Sequence, residues 1–130
     1  VLFVDDHARI RAAYAELLAD DGFEVLQAAN AREALAQIET LSGTCVVVLD
    51  GASSPNASRT VLGAPAVRND VSRLRVILID RDFAGGQPGT ATVPLAAIID
   101  SPFDAGELLA AVSRSARERV AASPRSRVAA

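Results

Sequence analysis

Short apolar runs that end in aspartate constrain the fold of this chain more than any other feature. Residues 1–4 (Val-Leu-Phe-Val) lead directly into Asp5 and Asp6, and residues 45–49 (Cys-Val-Val-Val-Leu) lead into Asp50. A strand that is apolar at every position is buried on both faces, which is typical of a parallel sheet covered by helices. The two runs therefore predict central strands of a parallel sheet, with acids at their carboxyl ends.

The rest of the chain alternates strand-like and helical segments. Apolar runs predict further strands at residues 23–28, 75–79 and 95–99. Apolar residues at helical spacing, together with the capping-box pairs Asn30/Glu33 and Asp104/Glu107, predict helices over about 10–22, 30–41 and 104–120. Alternation of buried strands with amphipathic helices predicts an α/β fold with a doubly wound, five-stranded parallel sheet.

Two of the helical segments are predicted to be weak or irregular. Gly63 and Pro65 interrupt the third helix, over residues 58–69, and the fourth, over 84–92, is rich in glycine and threonine. Gly85, Gly86 and Gly89 lack the lysine and hydroxyl residue of a phosphate loop, so we interpret them as an ordinary connection. The domain is predicted to span residues 1–120, with 121–130 as a tail or the start of a linker.

Aspartates follow four of the five predicted strands: Asp5 with Asp6, Asp50, Asp80 and Asp100. A single aspartate after a strand is usually a turn former or a helix cap. In a doubly wound sheet, however, the carboxyl ends of the strands form the ligand-binding crevice. Clustered carboxylates raise one another's pKa unless a cation joins them, and Mg²⁺ prefers such oxygen ligands. The pattern favours metal or phosphoryl chemistry over coincidental capping.

These residues resemble the receiver domain of bacterial response regulators over residues 1–120. The resemblance is carried by Val-Leu-Phe-Val-Asp5-Asp6, by Val-Val-Val-Leu-Asp50, by Pro55 and by Ser101-Pro102-Phe103. It implies a flavodoxin-like sheet of strand order 2-1-3-4-5, a phosphoacceptor at Asp50 and a cis bond before Pro102. It also implies Mg²⁺ (or Mn²⁺) bound by Asp5, Asp6, Asp50 and the backbone carbonyl of Ala52.

The function implied by this resemblance is signal transduction in a cytoplasmic two-component phosphorelay. The phosphoryl donor would be a histidine kinase or a phosphotransfer protein. An output domain or self-association would provide further partners. The chain would not be an enzyme, apart from phosphorylation and dephosphorylation of its own Asp50.

The chain departs from the family at three switch positions. Asp80 stands where the family has a threonine or serine hydroxyl, Ser101 where it has a lysine, and Ile98 where it has an aromatic residue. The pocket thus gains the negative charge of Asp80 and loses the positive charge of the lysine. Arg81 or Arg68 offers a replacement for that positive charge. A second hypothesis stays open: a divergent pseudo-receiver that acts by protein contact without phosphorylation.

Composition bears on whether the chain is globular and on whether it binds nucleic acid or a membrane. Half of the 130 residues are hydrophobic and the net charge is −3, so a globular core is expected and direct nucleic-acid binding is not. No apolar run approaches the ~18 residues of a membrane span, so no membrane association is expected. Cys45, the one cysteine, is predicted to be buried as a small hydrophobe. His7 is interpreted as a solvated residue of the first helical turn rather than a metal ligand.

Overall fold

A computed structural model describes residues 1–70, 72–81 and 94–129, and the side chains of these residues as far as Arg117. Five strands and five helices occupy these ranges. The strands are β1 (Leu2–Val4), β2 (Leu26–Ala28), β3 (Cys45–Asp50), β4 (Leu74–Arg81) and β5 (Leu95–Ser101). The helices are α1 (Ala8–Asp20), α2 (Ala31–Thr40), α3 (Pro55–Gly63), α4 (Pro65–Arg68) and α5 (Ala105–Ala129).

All five strands form one parallel sheet in the order β2-β1-β3-β4-β5. This confirms the fold class and strand order expected from the sequence. The chain reverses its winding direction between β1 and β3, so the carboxyl ends of these two neighbouring strands border the crevice where such sheets bind ligands. Val4 is in register with Leu49, so Asp5 and Asp50 follow paired positions.

The core consists of two apolar layers, one on each face of the sheet. Alternate residues of β3 serve each layer: Val47 and Leu49 pack with α2, α3 and α4, whereas Val46 and Val48 pack with α1 and α5. Side chains alternate between the faces of a strand, so Asp50 continues the second series, toward α1. Cys45 is 7% exposed and packs in the first layer, which confirms its predicted role.

Several element bounds differ from the prediction. β2 begins at Leu26 rather than at residue 23, and α3 begins at Pro55 rather than at residue 58. The predicted interruption at Gly63 and Pro65 separates α3 from α4. α5 continues to Ala129, past the end predicted at residue 120. The predicted weak helix over 84–92 lies outside the described residues.

Gly51 is required by close backbone approach at the end of β3. A Cβ atom at this position would lie 2.8 Å from the carbonyl oxygen of Ile79, in the neighbouring strand β4. A backbone atom of a central strand cannot move aside cheaply, so glycine lets the chain turn immediately after Asp50.

Across residues 1–70, 72–81 and 94–129, no helix combines the length and apolar character needed to cross a bilayer.

Candidate functional site

The carboxyl ends of β1 and β3 bring two buried carboxylates together. Asp5 is fully buried and Asp50 is 5% exposed, whereas Asp6 points outward and is exposed. Burial of a carboxylate is costly unless hydrogen bonds or a cation compensate for the lost water. The hydrogen-bond donors around these two acids, and any carboxylate oxygen that lacks a donor, therefore indicate what the site can bind.

Two consecutive serines after β3 provide part of this compensation. The Ser53 hydroxyl donates to Asp5 Oδ1 at 3.0 Å, and the Ser53 backbone N–H donates to Asp50 Oδ1 at 3.2 Å. Ser54 Oγ lies 3.0 Å from Asp5 Oδ1 and 2.7 Å from Asp6 Oδ1, and accepts the Asp6 backbone N–H at 2.8 Å. Its single proton can serve only one carboxylate at a time. The two serines thus hold the first acidic pair against the end of β3.

Replacing Ser54 with alanine is expected to destabilise the protein and to weaken metal binding. The Asp6 N–H and both carboxylates lose a buried partner, which costs about 1–3 kcal/mol in the free energy of unfolding. Ser58→Ala is the matched control, because Ser58 Oγ is also buried but has no hydrogen-bond partner among the described residues. Urea denaturation and Mg²⁺ titration of both variants measure the effect. Equal losses in the two variants would contradict this role for Ser54.

The second oxygen of Asp5 is left without a donor. Oδ1 accepts the His7 backbone N–H and the serine hydroxyls, whereas the buried Oδ2 accepts no hydrogen bond from any described N–H or hydroxyl group. The neighbouring carboxyl of Asp50 can donate to Asp5 only when it carries a proton. A proton or a cation between the two acids would therefore relieve their repulsion.

The pKa of Asp50 is raised and the pKa of Asp5 is lowered, because the two neighbouring acids share this burial and can be joined by one proton. Burial, and a hydrogen bond to Asp5 that needs the protonated form, raise the pKa of Asp50 to about 6. Burial alone would also raise the pKa of Asp5, but hydrogen bonds with Asp50, the His7 N–H and the serine hydroxyls outweigh it and lower that pKa. The pair thus retains a proton more readily than an isolated aspartate does.

This arrangement predicts that Asp50→Asn stabilises the metal-free protein at high pH. A carboxyl whose pKa rises from 3.8 to about 6 on folding stabilises the folded state below pH 3.8 and loses that contribution as the pH rises through about 6. Asp5, with a lowered pKa, has the opposite dependence. Urea denaturation with EDTA gives the free energy of unfolding of the variant and of the wild type. The difference between the two should favour the variant by about 1–2 kcal/mol more at about pH 8 than at about pH 4. A difference that is constant with pH would contradict it.

A divalent cation fits these residues. Asp5, Asp6 and His7 each offer one ligand atom, and these atoms lie within 4.8 Å of one another. Asp5 Oδ2 remains free for a cation, and carboxylate oxygens are the ligands that Mg²⁺ and Mn²⁺ prefer. His7 is half exposed, as expected, but it occupies the N-cap position of α1, without a side-chain capping hydrogen bond, rather than lying in the first turn. Its Nδ1 lies 2.8 Å from Asp6 Oδ1.

Arg81 lies at the same edge of the sheet. Its Nη2 atom donates to the carbonyl oxygen of Ala52 at 3.4 Å, and the same cavity contains Arg81, Asp50 and Ser101. Arg81 is also in register with Ser101. Of the two arginines considered from the sequence, Arg81 therefore lies at the site. Arg68 ends α4 and is exposed, with no described contact to the acids.

The divergent positions occupy different environments. The Asp80 carboxylate accepts the backbone N–H of Arg81 at 2.8 Å and has no other described partner, so no described contact joins it to Asp50. The sequence had suggested that Asp80 adds its charge to the pocket. Ile98 is half-buried and in register with Leu78. The Ser101–Pro102 bond is cis, as the resemblance implies.

Ser53 and Ser54 were not predicted from the sequence. Small residues after a strand are read as a loop, and each serine lies 48 or 49 residues from the acid it contacts. The one available signal for these contacts was the sequence Asp-Gly-Ala-Ser-Ser from Asp50 to Ser54. Hydroxyl groups three and four residues after an acid at a strand end can reach the same edge of the sheet.

Comparison with solved structures identifies the fold. The receiver domain of NtrX from Brucella abortus is 25% identical, with a TM-score of 0.70 over 88% of this chain and 95% of that one. The chemotaxis response regulator CheY4 of Vibrio cholerae is 26% identical, with the same TM-score and coverage. A longer NtrX structure is 23% identical with a TM-score of 0.81; it covers 98% of this chain, which spans 28% of that one.

No protein-family model matches the sequence, and no match was found among curated proteins. The resemblance inferred from the sequence is nevertheless confirmed at the level of structure. The chain has the fold of response regulator receiver domains, which are signalling modules of two-component systems.

Proposed function

We propose that this chain, with its receiver-domain fold, accepts a phosphoryl group on Asp50 in a two-component phosphorelay. The observation that carries the proposal is the buried carboxyl pair at the ends of β1 and β3. Asp50 opens into a cavity, and Asp5 presents an oxygen without a hydrogen-bond donor beside it. A nucleophilic carboxylate beside a cation site is the arrangement that phosphoryl transfer to aspartate requires.

In this reaction a carboxylate oxygen of Asp50 attacks the phosphorus of the donor. The new O–P bond forms as the P–N bond of a phosphohistidine, or the P–O bond of acetyl phosphate, breaks. The bonding electron pair leaves with the imidazole nitrogen or with the acetate oxygen. The Ser53 N–H, which donates to Asp50 Oδ1, orients the carboxylate for attack.

Asp5, Asp6, Asp50 and the Ala52 carbonyl would hold Mg²⁺ or Mn²⁺. When bound, the ion would neutralise charge on the phosphoryl oxygens. The support for this site is the carboxylate donor set and the unpartnered, buried Oδ2 atom of Asp5. Ser54 contributes by holding both Asp5 and Asp6 in place.

Arg81 would supply the cation that Ser101 does not. The guanidinium lines the cavity that contains Asp50, and it lies 3.4 Å from the Ala52 carbonyl, a contact that it would give up when that carbonyl binds the ion. A planar guanidinium can donate two hydrogen bonds to a phosphoryl group. The chain would then bind the phosphoryl group from the fourth strand rather than from the fifth.

Arg81→Gln is therefore expected to reduce phosphorylation. Loss of one charge-assisted contact costs about 1.5–3 kcal/mol, which lowers the rate of adduct formation roughly 10- to 100-fold. Arg68→Gln removes an exposed arginine without described contact to the site and is the matched control. Intact-protein mass spectrometry during incubation with acetyl phosphate and Mg²⁺ gives the rates. Similar rates in both variants would exclude a role for Arg81.

The proposed donor is a histidine kinase or a phosphotransfer protein. The longer NtrX chain offers a precedent for a receiver-like region within a larger protein. By analogy, residues 1–120 would form the receiver unit and 121–130 would lead toward an output domain. Self-association is the alternative route to an output. The unit is proposed to act in the cytoplasm and to have no catalytic activity beyond its own Asp50.

A phosphorylation-independent interaction module is the second candidate. The observations that favour it are Asp80 and Ser101, which replace the hydroxyl and the ammonium group of the family, and Ile98, which replaces the aromatic residue. Such a module would retain the fold and signal by binding a partner protein.

Incubation of the protein with acetyl phosphate and Mg²⁺ distinguishes the two candidates. A phosphoacceptor gains the mass of one phosphoryl group, and EDTA prevents the gain. A purified phosphohistidine protein should give the same adduct. Absence of an adduct with both donors in the presence of Mg²⁺, together with unchanged NMR shifts on addition of beryllofluoride, would support the interaction module instead.

A further inference from the structure

A cavity of about 620 Å³ opens beside Asp50, between α1 and the carboxyl ends of β3, β4 and β5. Binding sites for small organic molecules usually measure about 300–1,000 Å³. The volume therefore exceeds what a phosphoryl group and a metal ion require. The question is what else this space can bind.

The α1 side of the cavity is apolar and partly aromatic. Ile10, Tyr14 and Leu17 of α1 line it, and Phe103 contributes from beyond β5. Tyr14 is stacked between Phe3 and Phe103, with ring centroids 5.6 and 5.5 Å apart, so this wall is preorganised. Ile10 is 36% exposed, so its side chain is accessible to a molecule in the cavity.

The polar residues of the cavity favour a negatively charged ligand. Arg9 and Arg81 both line it and are exposed, and neither forms an ion pair within the described part of the chain. Asp50 is the one acid among the lining residues. Ser101, which also lines the cavity, has a short and uncharged side chain.

We propose that this cavity binds a small organic acid with a flat apolar body, of the aromatic carboxylate class. The ring system would contact Phe103 and the edge of Tyr14, because both faces of Tyr14 are stacked on neighbouring rings. The carboxylate would face Arg9 and Arg81. This site does not depend on phosphorylation of Asp50, because none of these four residues needs a modified aspartate to make its contact. The chain would thereby gain a small-molecule input at the same edge of the sheet.

The test uses 2-naphthoate as the probe, titrated into the full chain and followed by calorimetry and by ¹⁵N NMR shifts. We expect saturable binding, with the largest shifts in α1 and around Phe103. 2-Naphthylmethylamine has the same ring system and the opposite charge, and it should bind at least roughly tenfold more weakly. Equal or tighter binding of the amine would overturn the proposal.

Two sets of variants locate the site. Ala13→Phe fills the cavity from α1 and should abolish binding, whereas Ala12→Phe, on the same helix but not in the cavity lining, should not. The double variant Arg9→Gln/Arg81→Gln removes the cations from exposed positions without altering the core, and should weaken naphthoate binding roughly tenfold or more. No detectable binding to the wild type, or binding that all these variants retain, would refute the site.

Discussion

Asp50→Asn is expected to abolish uptake of a phosphoryl group from acetyl phosphate and from a phosphohistidine donor. The asparagine amide has the shape of the carboxylate but lacks its nucleophilic oxygen. Asp5, the other buried acid, cannot take its place readily, because its Oδ1 lies within hydrogen-bond distance of three donor groups and its Oδ2 faces the proposed metal site. Intact-protein mass spectrometry should find no adduct under conditions in which the wild type is modified.

Asp100→Asn is the matched control for this experiment. Asp100 also lies near the carboxyl end of a strand, but it is exposed and is not among the residues that line the Asp50 cavity. It should leave the yield of adduct unchanged. Since Asp50→Asn is expected to stabilise the metal-free protein near neutral pH, loss of the adduct would not reflect unfolding. An adduct that persists in Asp50→Asn would show that another residue is the acceptor.

Phe3→Ala is expected to have the largest effect on stability. Phe3 is fully buried in the central strand β1 and is one of the largest such side chains in the described core. Truncation of a buried phenylalanine costs about 3–5 kcal/mol, from lost burial and from the remaining cavity. The free energy of unfolding of a domain of this size is about 5–15 kcal/mol, so this loss is a large part of the total stability. Urea denaturation gives the free energy of unfolding.

Phe23→Ala provides the comparison, since Phe23 packs at the margin of the same apolar layer and is only partly buried. It should lose less than half as much stability. Phe3→Ala should also loosen Tyr14, which stacks on it, and thereby weaken naphthoate binding even where the variant remains folded. A loss below about 1 kcal/mol for Phe3→Ala would show that the core rearranges to fill the space.

The fold was largely predictable because β1 is apolar at every position and β3 is apolar at every position before Asp50, and only a doubly covered parallel sheet buries both faces of such strands. The second strand was predicted too long because its length depends on its partner: β1 offers three residues for pairing, and β2 pairs over three. The start of α3 was missed because the third helix was predicted to begin at residue 58, although a proline such as Pro55 favours the first helical turn.

The site was predictable to the extent that it depends on strand ends. The positions of Asp5 and Asp50 follow from the register of β1 and β3. The strand β4 was predicted to end at residue 79, but it continues to Arg81, and adjacent residues of a strand face opposite sides of the sheet. Asp80 was therefore grouped with the acids, whereas Arg81 is the residue of β4 that lines the cavity. The serine contacts depend on the path of the turn after Gly51, which no local pattern specifies.

The hydrogen bonds between the acids after β1 and the two serines have a consequence for how the chain folds. Each of them closes a loop of 48 or 49 residues. Closing a loop of this length costs more entropy than forming the local contacts of a helix, so we expect these contacts in the slower part of the folding reaction. During synthesis, a nascent chain that ends before residue 54 lacks at least the three of these four hydrogen bonds that Ser54 forms. Metal affinity should therefore appear late in refolding, after the helical signal of α1 and α2 has developed.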